Sequence, residues 1–149
     1  MKEKYKHTQI GYLLLVLYGV IILFMIYPVL MTDFNAIVLV VLIILLITLG
    51  LFATLTITVD NRLIKLHFGV GLIRKHFVLK EIETYQVVKN PWYYGWGIRY
   101  TPRGWLFNVS GFSAIELHMK NGRHYRIGTD DPAGLAQAID EALRDAFIY

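Results

Sequence analysis

Between residues 10 and 59 the chain carries one formal charge, Asp33; beyond that stretch, polar and apolar positions begin to alternate. Residues 10–32 form an uncharged run of 23, which as a helix rising about 1.5 Å per residue crosses a hydrocarbon core of about 30 Å. A second uncharged run follows from residue 34. The pattern predicts two membrane-spanning helices, at about 10–32 and 35–53, joined by Thr32-Asp33-Phe34-Asn35.

At Thr54 the period changes from helical to two-residue. Thr54-Leu55-Thr56-Ile57-Thr58-Val59 alternates hydroxyl and aliphatic side chains, as a half-buried strand does. An Asp60-Asn61 turn then sets Ile57 opposite Ile64 and Leu55 opposite Leu66. Gly69-Val70-Gly71 marks the next reversal, followed by strands at 72–78 and 82–88, the latter ended by Asn90-Pro91. Residues 92–111 are irregular and aromatic, with short extended pieces at 97–100 and 105–109.

Strands at 113–119 and 123–127 flank Lys120-Asn121-Gly122. A two-residue turn would mix core and solvent faces. A three-residue loop with Gly122 in the left-handed region instead pairs Leu117 with Tyr125, Ile115 with Ile127 and Glu116 with Arg126. Asp130-Asp131-Pro132 supplies a helix cap and first turn, and Leu135, Ile139, Leu143 and Ala146 recur at helical spacing.

The expected architecture is therefore a two-helix transmembrane hairpin (1–53) followed by an α+β domain (54–149). In that domain about seven antiparallel strands form a partly open barrel, closed by a C-terminal amphipathic helix.

Composition sharpens this picture. A hydrophobic content of 56% and a mean hydropathy of +0.48 average over an apolar segment and an ordinary mixed domain. The absence of cysteine rules out a disulfide framework, a thiolate nucleophile and a cysteine-ligated metal. Lys2, Lys4 and Lys6 precede the first span, and Arg62, Lys65, Arg74 and Lys75 follow the second. By the positive-inside rule both ends lie in the cytoplasm, with the chain integral to the cytoplasmic membrane. The first apolar run is too long for a signal-peptide core and lacks a small-residue cleavage pattern near 27–31, so it reads as an anchor. Apart from tyrosines neither span holds an ionisable residue, which argues against an ion or proton path.

Charge also divides within the domain. Residues 54–129 carry eleven basic and four acidic side chains, whereas 130–149 carry Arg144 against five acids. The basic strands suit an anionic leaflet, and Arg62, Lys65, Arg74 and Lys75 are the candidate membrane-facing residues, each contributing about 1 kcal/mol when close to the surface. An ordinary solvated strand face fits the same residues.

No Gly-x-Ser-x-Gly elbow, phosphate-cradling loop or His-Glu-x-x-His helix occurs, so no catalytic residue and no cofactor is expected. His118 and His124 should face each other outward across the last hairpin. Glu116 is the one carboxylate near them, expected on the other face or diagonal at best, and so no metal site is expected. The aromatic stretch with Trp92, Trp96, Arg99, Tyr100, Arg103 and Trp105 is the candidate partner surface. Packing at the barrel mouth comes first as its role, with a headgroup belt or a partner groove as alternatives. Stacking on nucleic acid is set aside for a domain held at a membrane.

Three strings, GWGIRYTPRGWLFNVSG at 95–111, AIELHMKNGRHYRIGTDDP at 114–132 and LAQAIDEAL at 135–143, resemble a family of small bacterial membrane proteins that carry a pleckstrin-homology-like domain behind two transmembrane helices. The resemblance implies a fold more than an activity. It also departs from phosphoinositide-binding members, which gather basic residues around the first hairpin, where this chain has Asp60-Asn61 with Arg62 and Lys65. The expected function is a non-enzymatic, membrane-anchored binding or scaffolding module that engages membrane lipids or a protein partner. A structural subunit of a larger membrane complex, or self-association, is the alternative.

Overall fold

The computed structural model describes residues 3–31 and 35–148. Lys2 and the inter-helix residues Thr32, Asp33 and Phe34 lie outside them. The elements in chain order are β1 (Glu3–Ile10), α1 (Tyr12–Met31), α2 (Ala36–Phe52), β2 (Thr54–Asp60), β3 (Leu63–Phe68), β4 (Ile73–Val78), β5 (Ile82–Lys89), β6 (Gly97–Thr101), β7 (Gly104–Asn108), β8 (Ser113–Met119), β9 (His124–Gly128) and α3 (Pro132–Ile148).

The largest departure from the sequence reading is β1. Residues 3–10, read as a basic flank of the first span, pair antiparallel with β2 from Glu3 opposite Asp60 to Ile10 opposite Thr54. The two helices are thus inserted between neighbouring strands of one sheet. The ribbon's last rung is the Gly11 amide donating to the Ala53 carbonyl at 2.8 Å, and each helix begins or ends beside it. Burial explains the pairing: Gln9 is 1% exposed, with its amide donating to the Gly128 carbonyl of β9, and Tyr5 packs on the core. The globular part therefore comprises 3–10 together with 54–148.

Neither helix has a buried residue. α1, with 20 residues, is long and apolar enough to cross a membrane. α2 is equally apolar at 17 residues and is capped by Asn35, whose side-chain oxygen accepts from the amides of Ile37 and Val38. At about 1.5 Å per residue α2 alone measures about 26 Å.

The strands form two sheets, in order β1-β2-β3-β4 and β5-β8-β9-β7-β6. This corrects the expected seven antiparallel strands in a partly open barrel. Among the described residues there are nine strands and no closed barrel, and β7 runs parallel to β9. The coarser reading, an α+β domain whose last strand leads into an amphipathic helix, stands. Apolar side chains from both sheets meet in one core: Phe77 of β4 packs on Phe107 of β7 and Tyr125 of β9, with ring centroids 6.2 and 4.9 Å apart. α3 closes it with Leu135, Ala138, Ile139 and Ala142, while Leu143 and Ala146 lie at the margin.

The β2–β3 register differs from the expected one by two residues. Ile57 faces Leu66 and Leu55 faces Phe68, with Asn61-Arg62 at the apex. A shift of two preserves both faces, so alternation could not detect it. The turn residue decided it: Asp60 Oδ1 accepts from the amides of Arg62 and Leu63, both at 2.8 Å. The β8–β9 loop is as expected, with Gly122 at φ +80° and Leu117, Ile115 and Glu116 opposite Tyr125, Ile127 and Arg126.

The acidic C-terminal helix also finds a partner that sequence reading assigned elsewhere. Lys4 of β1 pairs with Asp145 at 2.5 Å, and His7 pairs with Asp130. Lys4, taken only as a topology signal, is bound to α3. Asp131 Oδ1 accepts from the Gly134 amide at 3.0 Å, which is the expected aspartate cap.

Candidate functional site

Strand parity puts Ile115 and Leu117 of β8 into the core and turns Glu116 and His118 to the opposite face of the sheet. Gln86 of β5 and Arg126 of β9 stand beside Glu116 in register. Glu116 is 1% exposed. It holds a buried ion pair in which Arg126 Nε donates to Oε2 at 2.6 Å, while His118 Nε2 lies 2.8 Å and Gln86 Nε2 3.3 Å from Oε1. Arg126 Nη1 also donates to Asn90 Oδ1 at 3.0 Å, and its guanidinium lies over the Tyr94 ring. Tyr94 is presented by the 3-10 turn Trp92–Tyr94, entered through Pro91. Burial alone would raise the Glu116 carboxyl; hydrogen bonds from His118 and Arg126 outweigh it and hold the group below the usual range.

This network floors a cleft of about 680 Å³. Its far wall is the β6–β7 turn, which brings Tyr100, Arg103 and Trp105 against His124 and Arg123. Gly104 makes the approach possible. It sits at φ +97°, and a Cβ there would lie 2.1 Å from the His124 carbonyl oxygen. Gly95 and Gly97 also sit at positive φ.

The expected partner surface is divided between two places. Tyr100, Arg103 and Trp105 line the cleft, whereas Trp96 and Arg99 line a smaller hollow of about 400 Å³ with Leu14, Leu17 and Tyr18 of α1. Trp92 belongs to neither and is 77% exposed. Packing at a barrel mouth does not describe this stretch, because Trp92 and Tyr100 are largely in solvent, Trp105 is about half exposed, and the described residues form no closed barrel.

The four basic candidates are likewise separated. Arg62 is at the apex beyond β2, seven strand residues or about 23 Å from the helices, more than twice the screening length at physiological salt. Lys65 is paired with Asp60 at 2.8 Å, and the Lys75 ammonium lies over the rings of Phe77 and Tyr125. Arg74 is joined to the turn that packs on α2, with its Nε donating to the Gly71 carbonyl there.

The reversal at Gly69-Val70-Gly71 is where the sequence placed it; its contact with α2 is what the sequence reading missed. Gly69 donates to the Thr54 carbonyl at 2.9 Å, and a Cβ on it would lie 2.0 Å from the Gly50 carbonyl oxygen, so the turn is pressed against the last turn of α2. Val70 and Leu72 project from it at 73% and 77% exposure. The signal was present as apolar residues bracketing a glycine reversal, where a solvated turn carries polar ones.

The expectation that Glu116 lies away from the histidines is corrected: residues two apart on a strand share a face, and Glu116, His118 and His124 converge. The comparisons add no relative: no protein-family model, no curated protein and no solved structure matches this chain.

Proposed function

We propose that this protein is a non-enzymatic, membrane-anchored binding module: α1 and α2 cross the cytoplasmic membrane, and the two-sheet domain is held against the inner leaflet, where it engages lipid headgroups. The observation that carries the reading is the β1–β2 ribbon running without a linker into two helices that bury none of their residues. Both helix ends meet at one rung, so a double crossing returns the chain to its starting side. In water the bare helices would expose an apolar surface far beyond what a soluble monomer carries.

Two features at the foot of the helices support contact with the leaflet. Val70 and Leu72 extend from a turn pressed on the end of α2, beside Arg74. Trp96 and Arg99 border the start of α1, in the composition that favours the headgroup layer. The basic side chains after the second helix favour the cytoplasmic side.

Carbonate washing and impermeant labelling test the reading together. The chain lacks cysteine, so Glu3→Cys and Asn121→Cys each create a single reporter. Both should stay with the membrane pellet and react only after the inner face is opened. Release by carbonate, or reaction of either reporter in intact cells, overturns it. A stoichiometric membrane protein retained in mild detergent would favour the subunit alternative.

A further inference from the structure

The cleft floor holds side chains that its own hydrogen bonds do not use up. His118 and His124 stand opposite each other on β8 and β9, with ring centroids 4.1 Å apart. One ligand-competent atom from each, and one from Glu116, lie within 4.8 Å of one another. His118 is accounted for by Glu116 Oε1 at 2.8 Å. His124 is not: among the described residues neither ring nitrogen has a protein hydrogen-bond partner, although the ring is pressed against His118.

We propose that Glu116, His118 and His124 form a binding site for a divalent transition-metal ion of the zinc class, open to the cleft. Ligand atoms about 2.0–2.2 Å from a tetrahedral zinc stand about 3.3–3.6 Å from each other. The observed separations, from 2.8 Å to within 4.8 Å, bracket that value, so small side-chain rotations complete the site. Two imidazoles with a single carboxylate suit Zn²⁺ and its neighbours; Ca²⁺ and Mg²⁺ favour oxygen sets. Arg126, fixed to Glu116 Oε2, supplies the outer partner that orients a ligating carboxylate and leaves Oε1 turned to the histidines. Three protein ligands leave a fourth position facing the cleft, where Arg103 and Arg123 line the walls. That position takes water or a small carboxylate or phosphate, the groups a guanidinium pairs with. The site is independent of the helices, and its failure would leave the membrane reading intact.

The test uses full-length protein in detergent, free of any histidine tag and stripped with chelator, titrated with Zn²⁺ alone by calorimetry. One saturable equivalent is expected, with a tetrahedral visible spectrum when Co²⁺ replaces Zn²⁺. His124→Ala, at an exposed position, and His118→Ala should each weaken binding by more than the about 10–100-fold that outer-partner changes cost. His76→Ala, an exposed histidine on β4, should leave it unchanged. No saturable site, an affinity left unchanged by His118→Ala or by His124→Ala, or a Co²⁺ spectrum of the hydrated octahedral ion would overturn the proposal.

Discussion

The Gly11 amide donates to the Ala53 carbonyl across 2.8 Å, and at this rung a two-stranded ribbon divides into two apolar helices. A Cβ on Gly11 would lie 2.8 Å from the Val109 carbonyl oxygen, so the segment just after β7 also presses on the junction. Gly11→Val should therefore destabilise the globular part by about 1–3 kcal/mol, as overpacking does, read as a lower midpoint of denaturation in detergent. An unchanged midpoint would mean that the junction has slack the contact distances do not show.

The turn at Gly69 predicts where the domain meets lipid. In lipid nanodiscs a probe attached at Val70→Cys should be quenched by lipids brominated near the headgroup, whereas one at Arg62→Cys should not. Equal quenching at the two positions would refute the orientation, since they lie at opposite ends of the β2–β3 pair.

Asp60 predicts an acid limit to stability. Burial alone would raise its carboxyl, but Lys65 and the amides of Arg62 and Leu63 outweigh that effect and hold it below the usual range. Its folded value is depressed, so its contribution is complete above about pH 5 and is lost as pH falls below about 4, through the folded value. Asp60→Asn keeps the turn geometry and removes the charge. It should cost about 1–3 kcal/mol at neutral pH and flatten the acid limb of a stability–pH curve.

The Glu116–Arg126 pair predicts strong non-additivity. Arg126→Ala leaves a nearly fully buried carboxylate without its main partner and should cost about 3–5 kcal/mol. Glu116→Leu with Arg126→Met should cost less than the sum of the single changes. Urea denaturation of the four proteins measures the coupling, and simple additivity would show that the pair is not an energetic unit.

Gly104 predicts the shape of the cleft. Its φ of +97° and its approach to the His124 carbonyl leave no room for a side chain. Gly104→Ala should push the β6–β7 turn away from His124, seen as shifted His124 and Trp105 ring resonances and a lower midpoint of denaturation. Unshifted resonances would mean that the turn is not what holds the cleft wall.

Local order was legible because it is local. Leu55, Ile57 and Val59 announce a strand by alternation alone, Lys120-Asn121-Gly122 admits one loop length that keeps Leu117 on Tyr125, and Asp131-Pro132 ahead of a helical apolar spacing marks a helix start. The apolar run of α1 is fixed by composition in the same way. β1 was not legible, because Glu3-Lys4-Tyr5-Lys6-His7-Thr8-Gln9 has little apolar content and becomes a strand only when β2 supplies its hydrogen bonds, Asp145 of α3 pairs with Lys4, and Asp130 ahead of α3 pairs with His7. The site divides along the same line. That His118 and His124 oppose each other follows from the hairpin register, and that Glu116 shares their face follows from parity. That Arg103 and Trp105 stand over them required the β7–β9 parallel contact and the Gly104 approach, a long-range pairing that no single segment encodes.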